Sequence, residues 1–144
     1  MNDQDVLVFH RGGHRFAVDV AHVTRVVPPS AAQPVPGAAR GVRGMTESGG
    51  DVYTLVTTPL PPPQGDRPRW RRWVLLRGSV AFGFEVDAVE GIRAAQERGD
   101  DDLPEEDVPG ADWEPVITHL VNVDGGTAWV LDVEGLVRAH VERG

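Results

Sequence analysis

An internal repeat constrains this chain more than any other feature. Residues 16–26, FAVDVAHVTRV, lie without a gap over residues 82–92, FGFEVDAVEGI. Both run Phe, small, apolar, acidic, Val, two residues, Val, two residues, then Val or Ile. A second pair follows in the same order: residues 49–55, GGDVYTL, lie over residues 125–131, GGTAWVL, sharing Gly-Gly, an aromatic and a leucine. Self-similarity on this scale means one supersecondary plan used twice. Each copy reads hairpin, loop, Gly-Gly turn, strand, and two short β units of one plan predict a pair of small barrels packed together.

The hairpins can be read one by one. Val6–His10 and Arg15–Val20 are β-rich apolar runs flanking Gly12 and Gly13, and glycine supplies the positive φ of a tight turn. Val23, Val26 and Val27 continue the β pattern until Pro28 and Pro29 stop it, because proline lacks the donor a central strand needs. Residues 28–50, rich in proline and glycine, read as a structured loop around short elements, and residues 52–58 as a strand. Pro59–Pro68 is a proline-rich surface connector. Trp73–Leu76 and Val80–Val86 form a second hairpin, and Val116–Val123 with Thr127–Val133 a third. Between these, the acidic stretch 97–112 is expected to be a mobile loop. Val133, Leu136, Val137 and Val141 stand at helical spacing and predict a short closing helix.

Composition narrows the function. The 144 residues, 40% of them hydrophobic, fit one globular domain of closely packed subdomains. No apolar run approaches the roughly 18 residues needed to span a bilayer. The acidic start, Met1–Asp5, is unlike a secretory leader, so a cytoplasmic protein without membrane insertion is expected. The absence of cysteine excludes disulfides, thiolate metal sites and a cysteine nucleophile. A net charge of −8 works against nucleic acid and anionic membrane as partners.

Catalytic chemistry is hard to assemble. There is no G-x-S-x-G elbow and neither a G-x-x-x-x-G-K-[ST] nor a G-x-G-x-x-G phosphate cradle. His10, His14, His22, His119 and His140 are scattered, and His10 and His14, flanking one turn, lack an evident third metal ligand. No catalytic residue, metal or cofactor is therefore expected. Arg67, Arg69, Arg71 and Arg72 interleave with Trp70 and Trp73. That pattern offers an alternative reading, an SH3-like module binding nucleic acid or peptide. Asp100–Asp102 and Glu105–Asp107 supply an internal counterpart, and a solvated charged edge is the simpler account.

Residues 16–26, then Val35-Pro36-Gly37-Ala38 and Val42-Arg43-Gly44, resemble the first half of a CheW-like domain. That family runs "Phe/Tyr-x-Ile-Asp-Ile-x-x-Val-x-Glu-Ile", then "Ile-Pro-Asn-Ala-Pro-x-x-Ile-x-Gly" and "Val-Ile-Asn-Leu-Arg-Gly". Gly83–Val89 is similar to its "Gly-x-x-Val-Asp-x-Val", and Asp124–Glu134 to its closing "Asp-Gly-x-x-x-x-Leu-Asp-Ile-Glu". The likeness spans residues 5–140, and the order and spacing of the motifs carry it. It implies a mostly β single domain made of two intertwined five-stranded SH3-like barrels, about 15–72 and 73–140 with the N-terminal strand. It also implies a non-catalytic chemotaxis adaptor linking a methyl-accepting chemoreceptor to the regulatory domain of a CheA-type histidine kinase.

The departures from the family pattern mark a divergent member, in which one of those two couplings alone need survive. Gly49 stands where the family has its arginine, Arg25 where it has its glutamate, and the "Pro-Val-x-Asp-Leu" strand reads Thr54–Thr58. An Arg25–Glu47 pair would restore the lost pairing with its sign exchanged. The expected protein-binding surfaces are Val23, Arg25 and Val26 with Glu47, Ser48, Gly49 and Gly50, and the barrel surface near Tyr53, Leu55 and Thr57. Exposed strand edges offer unpaired backbone groups there.

Overall fold

The computed structural model describes residues 4–64, 68–97 and 112–143. Among them run β1 (Gln4–Arg11), β2 (His14–Asp19), β3 (Val23–Val27), β4 (Val42–Ser48), β5 (Asp51–Val56), β6 (Arg72–Arg77), β7 (Ala81–Val86), β8 (Ala88–Glu97), β9 (Ile117–Val123), β10 (Gly126–Leu131) and α1 (Val133–Arg143). Strands β1, β2, β10, β9 and β8 close into a barrel, and β3, β6, β7, β5 and β4 form a second five-stranded sheet in that order.

The repeat explains this layout. Substituting β6, β7, β5, β4 and β3 for β1, β2, β10, β9 and β8 turns the order of the barrel into the order of the second sheet. A parallel pairing recurs at the same place in each sheet, one residue out of step with the repeat: Trp129 and Val130 sit beside Phe16 and Ala17, while Thr54 and Leu55 sit beside Phe82 and Gly83. The gapless repeats, 16–26 and 82–92, are the two places where the chain crosses between sheets, from β2 to β3 and from β7 to β8. Each sheet thus takes two strands from one copy and three from the other.

This division differs from the expected boundary near residue 72. β6 and β7 belong with β3–β5, and β8–β10 belong with β1 and β2; the N-terminal strand does join the later strands, as the division 15–72 and 73–140 with that strand has it, while β2, β6 and β7 lie across it. Two strands carry no strand signal in the sequence. β4 holds Gly44, Met45 and Glu47 in place of a β-branched run and is made a strand by pairing with β5, Met45 opposite Thr54 and Thr46 opposite Tyr53. β8 is fixed by its ladder to β1, from Gln4 opposite Ala95 to His10 opposite Ala88.

The barrel closes where β8 meets β9, Gln96 opposite Asn122. In the second sheet Pro28 and Pro29 end β3 before it can reach β4, and one bridge, Gln33 with Met45, spans the gap through two 2.8 Å hydrogen bonds. Gly44 permits this approach, since a Cβ there would lie 2.7 Å from the Gln33 carbonyl oxygen.

Three apolar clusters follow from period-two alternation on strands buried on both faces. Val6, Val8 and Ala17 point into the barrel with Ala95, Val121, Val123, Ala128 and Val130. Only small side chains fit so narrow a lumen. Their neighbours Leu7, Phe9, Phe16 and Val18 point outward, onto Val74, Leu76, Phe82 and Phe84 of the second sheet. The largest core therefore lies in the seam between the sheets. Phe9 stacks on Phe16 at 5.7 Å and meets Phe84 edge-on at 5.6 Å, with Trp113 edge-on to Phe16 at 5.3 Å. Tyr53, Leu55, Trp73 and Leu75 fill the second sheet.

α1 covers one side of the seam. Asp132 caps its start by accepting from the Gly135 N–H at 3.1 Å, Val133 and Leu136 enter the seam core, and Glu134 accepts from the Ser79 N–H at 2.7 Å, clamping the β6–β7 turn.

Candidate interaction site

Away from the residues covered by α1, the seam opens as a groove of about 500 Å³ where β1, β3, β6 and β8 converge. Val26 and Val89 supply its apolar wall and pack on the seam core. His10 and Ala88, ladder partners on β1 and β8, lie at one end with Glu90. Trp70, 47% exposed, and Arg72 form the opposing rim. Trp70 sits in the single turn of 3-10 helix Pro68–Trp70, which Arg72 fixes by donating from Nη1 to the carbonyls of Arg69 at 2.8 Å and Arg71 at 2.7 Å.

The polar end is rigid. Arg15 donates to the Glu90 carboxylate from Nε at 2.7 Å and Nη2 at 2.8 Å, and from Nη1 to the Val123 carbonyl at 2.9 Å. His10 Nε2 lies 2.6 Å from the same carboxylate. The hydrogen bond from Arg15, followed by that of His10, holds Glu90 down at a pKa of about 2. A permanently ionised, doubly held carboxylate is a poor general base, and no serine, threonine or cysteine lines the groove. The arrangement suits contact: an exposed tryptophan at the rim of an apolar trough is a typical anchor of protein interfaces.

Beside the groove the proline connector is strapped to the β1–β2 turn. Arg11, 5% exposed, donates from Nε to the Pro61 carbonyl at 2.8 Å and from Nη1 to the Glu85 carbonyl at 2.9 Å. Burial lowers its pKa to about 10. Asp87 accepts from the backbone N–H of Gly12 at 2.8 Å and of Gln64 at 3.1 Å.

The residues expected to bind partners divide into three sets. Val23 and Val26, half-buried on β3, reach the seam, and Val26 lines the groove. Arg25 is exposed on the same strand opposite Leu75. Glu47, Gly49 and Gly50 are exposed and Ser48 half-buried at the β4–β5 turn, remote from β3 in the sheet order. Tyr53 and Leu55, 3% and 0% exposed, are core, which corrects their reading as barrel surface; the inward face of β5 takes them. Thr57 is exposed, its hydroxyl donating to the Gly41 carbonyl at 3.3 Å.

The expected Arg25–Glu47 pair is absent from the ion pairs of the described residues, because its members occupy the two outermost strands of the sheet. The arginine–tryptophan segment also changes character. Trp73 is 5% exposed inside the second sheet, Arg72 is spent on carbonyls, and Arg71 faces Asp87 at 3.9 Å. Arg67 and the acidic runs within 100–107 lie outside the described residues, as does most of the loop expected at 97–112. Val26, Trp70 and Arg72 are the groove residues with a signal in the sequence, Val26 on the expected binding edge and the other two in the arginine–tryptophan segment; His10, Ala88, Val89 and Glu90 carry none as contacts. Among the described residues no group of three or more His, Asp or Glu is placed to hold a metal ion.

Comparison with known proteins places this arrangement. The model of the CheW-like domain matches residues 5–141. The crystal structure of the scaffolding protein TtCheW from Thermoanaerobacter tengcongensis superposes with a TM-score of 0.68 at 14% identity, covering 90% of this chain and 89% of that one. No curated protein matches the sequence.

Proposed function

The chain belongs to the CheW-like domain family, and from that premise we propose that it is a non-catalytic adaptor in a chemotaxis-like signalling pathway. The seam groove, with Trp70, Val26 and Val89 around a locked Glu90, is the observation that carries the reading. Its partners are a methyl-accepting chemoreceptor, the regulatory domain of a CheA-type histidine kinase, or both, met in the cytoplasm. No helix among the described residues is long and apolar enough to cross a membrane.

The groove accommodates one partner, with Val26 as a contact, and Val23 lies further along the same strand. The exposed turn Glu47–Gly50, with Arg25 and Thr57, offers further surface. Departure from the family pattern at Arg25, Gly49 and Thr57 favours an altered partner set over loss of adaptor function. The nucleic-acid alternative is weakened by the burial of Trp73 and the engagement of Arg71 and Arg72.

Calorimetric titration against the cytoplasmic tip of the cognate receptor and against the kinase regulatory domain tests the proposal. Binding to at least one, reduced about tenfold or more by Trp70→Ala, supports it; binding to neither overturns it.

A further inference from the structure

Around Gly41 the start of β4, the end of β5 and the last turns of α1 meet. Gly41 has a φ of +87°, and a Cβ there would lie 3.4 Å from the Thr57 hydroxyl and 3.6 Å from the His140 ring. His140 stands between two hollows and lines both. On one side, a concavity of about 470 Å³ is lined by Arg40, Gly41, Val42, Arg43 and Thr57. On the other, a slot of about 210 Å³ is lined by Val56, Val80, Ala81, Phe82 and Val137, with Thr54 at its edge. Val80 is 51% exposed, and Val52, also 51% exposed, lies two residues from Thr54 on the same face of β5.

Among the described residues the charge of the first hollow is uncompensated. Neither Arg40 nor Arg43 makes an ion pair among the described residues, and no carboxylate lines either hollow. Asp112 borders the adjoining recess that Arg43 also lines, without pairing to it. Arg43 is aimed by a β-bulge: the β4–β5 register slips between Val42, opposite Val56, and Gly44, opposite Leu55, leaving Arg43 as the extra residue. On a chain of net charge −8, two arginines that make no ion pair among the described residues, beside an exposed apolar slot, fit a ligand that is anionic and greasy at once.

We propose that this face docks an acidic peptide segment bearing a large aliphatic or aromatic side chain. Its carboxylates lie on Arg40 and Arg43, and its apolar side chain enters the slot against Phe82 and Val137. A nucleic acid would need a longer cationic track to follow its backbone, and here the arginines are two and their neighbour is apolar. The site shares no lining residue with the seam groove and stands whether or not that groove binds a receptor or kinase.

The test is an NMR titration of the full chain at low salt with the capped peptide Asp-Glu-Leu-Asp, the capped peptide Asp-Glu-Gly-Asp, inorganic phosphate and a duplex oligonucleotide. The leucine peptide is expected to shift the Nε signals of Arg40 and Arg43 and the methyls of Val80 and Val137. Arg40→Gln with Arg43→Gln, both exposed positions, should weaken it about tenfold while leaving the melting temperature unchanged. Val80→Ser should weaken the leucine peptide and leave the glycine peptide unaffected. The proposal is overturned if phosphate, the oligonucleotide or the glycine peptide binds these arginines as tightly as the leucine peptide, or if the leucine peptide shifts neither them nor the slot.

Discussion

Arg15 holds the Glu90 carboxylate in a two-pronged grip, Nε on one oxygen at 2.7 Å and Nη2 on the other at 2.8 Å. Because His10 reaches the same carboxylate from β1, one side chain on β8 ties together β1, β2 and β8 at the mouth of the groove. A carboxylate whose folded pKa is depressed stabilises the fold above its ordinary pKa and loses that contribution as pH falls through the folded one. For Glu90 the window runs from 4.5 down to about 2. Glu90→Gln should cost about 1 kcal/mol at pH 7, since the group is a quarter exposed and solvent screens it. Urea unfolding at pH 7 and at pH 2.5 should show the gap between variant and wild type shrinking with acidification; a constant gap would refute the linkage.

Trp70 and Trp73 lie three residues apart and should respond oppositely to truncation. Trp73→Ala empties a position at 5% exposure inside the second sheet and should cost about 3–5 kcal/mol. Trp70→Ala, on the rim, should leave stability within about 1 kcal/mol and act on partner binding. Paired thermal melts and titrations separate the two, and equal losses of stability would place Trp70 in the core instead.

Gly83 occupies the place that Ala17 holds in the other copy of the repeat. A Cβ at Gly83 would lie 2.7 Å from Leu75 Cδ2 and 3.0 Å from both Leu55 Cδ2 and the Val74 carbonyl oxygen. Gly83→Ala should therefore destabilise by about 1–3 kcal/mol through overpacking. Denaturant midpoints would measure it, and a neutral outcome would mean that the interior of the second sheet can expand.

Arg11→Leu should remove the donors that satisfy the carbonyls of Pro61 and Glu85, costing about 1–3 kcal/mol. Hydrogen exchange at Gln64, whose N–H donates to Asp87, should speed up as the connector loosens. Unchanged exchange with lowered stability would show that the strap does not depend on Arg11.

Much of the fold was legible because its signals are local. Gly12 and Gly13, the Ser79 region and Asp124–Gly125 announce three hairpins, and the heptad-like spacing of Val133, Leu136 and Val137 announces α1. The strands β4 and β8 were not legible because pairing, and not composition, makes them strands. Doubly buried strands hide which neighbour is core: Tyr53, Leu55 and Trp73 looked available for contact, yet they face the interior of the second sheet. The groove was hardest to foresee, since His10, Val26, Trp70 and Val89 come from four strands or turns far apart in sequence and share only the seam. Arg25 and Glu47 failed as a pair for the same reason, being assigned by motif position and separated by sheet order.

The crossing of β2 to β3 and of β7 to β8 means that neither repeat holds a complete sheet. A lone copy, β1 through β5, would own two strands of one sheet and three of the other, with its apolar seam face bare. The second copy, β6 through β10, supplies every missing strand, so the two repeats complete each other by exchanging strands. Because the two copies lie in one chain and differ in sequence, the two ends of the seam can differ. One keeps its side of the seam open as a groove while the other is sealed by α1, an asymmetry unavailable to identical subunits.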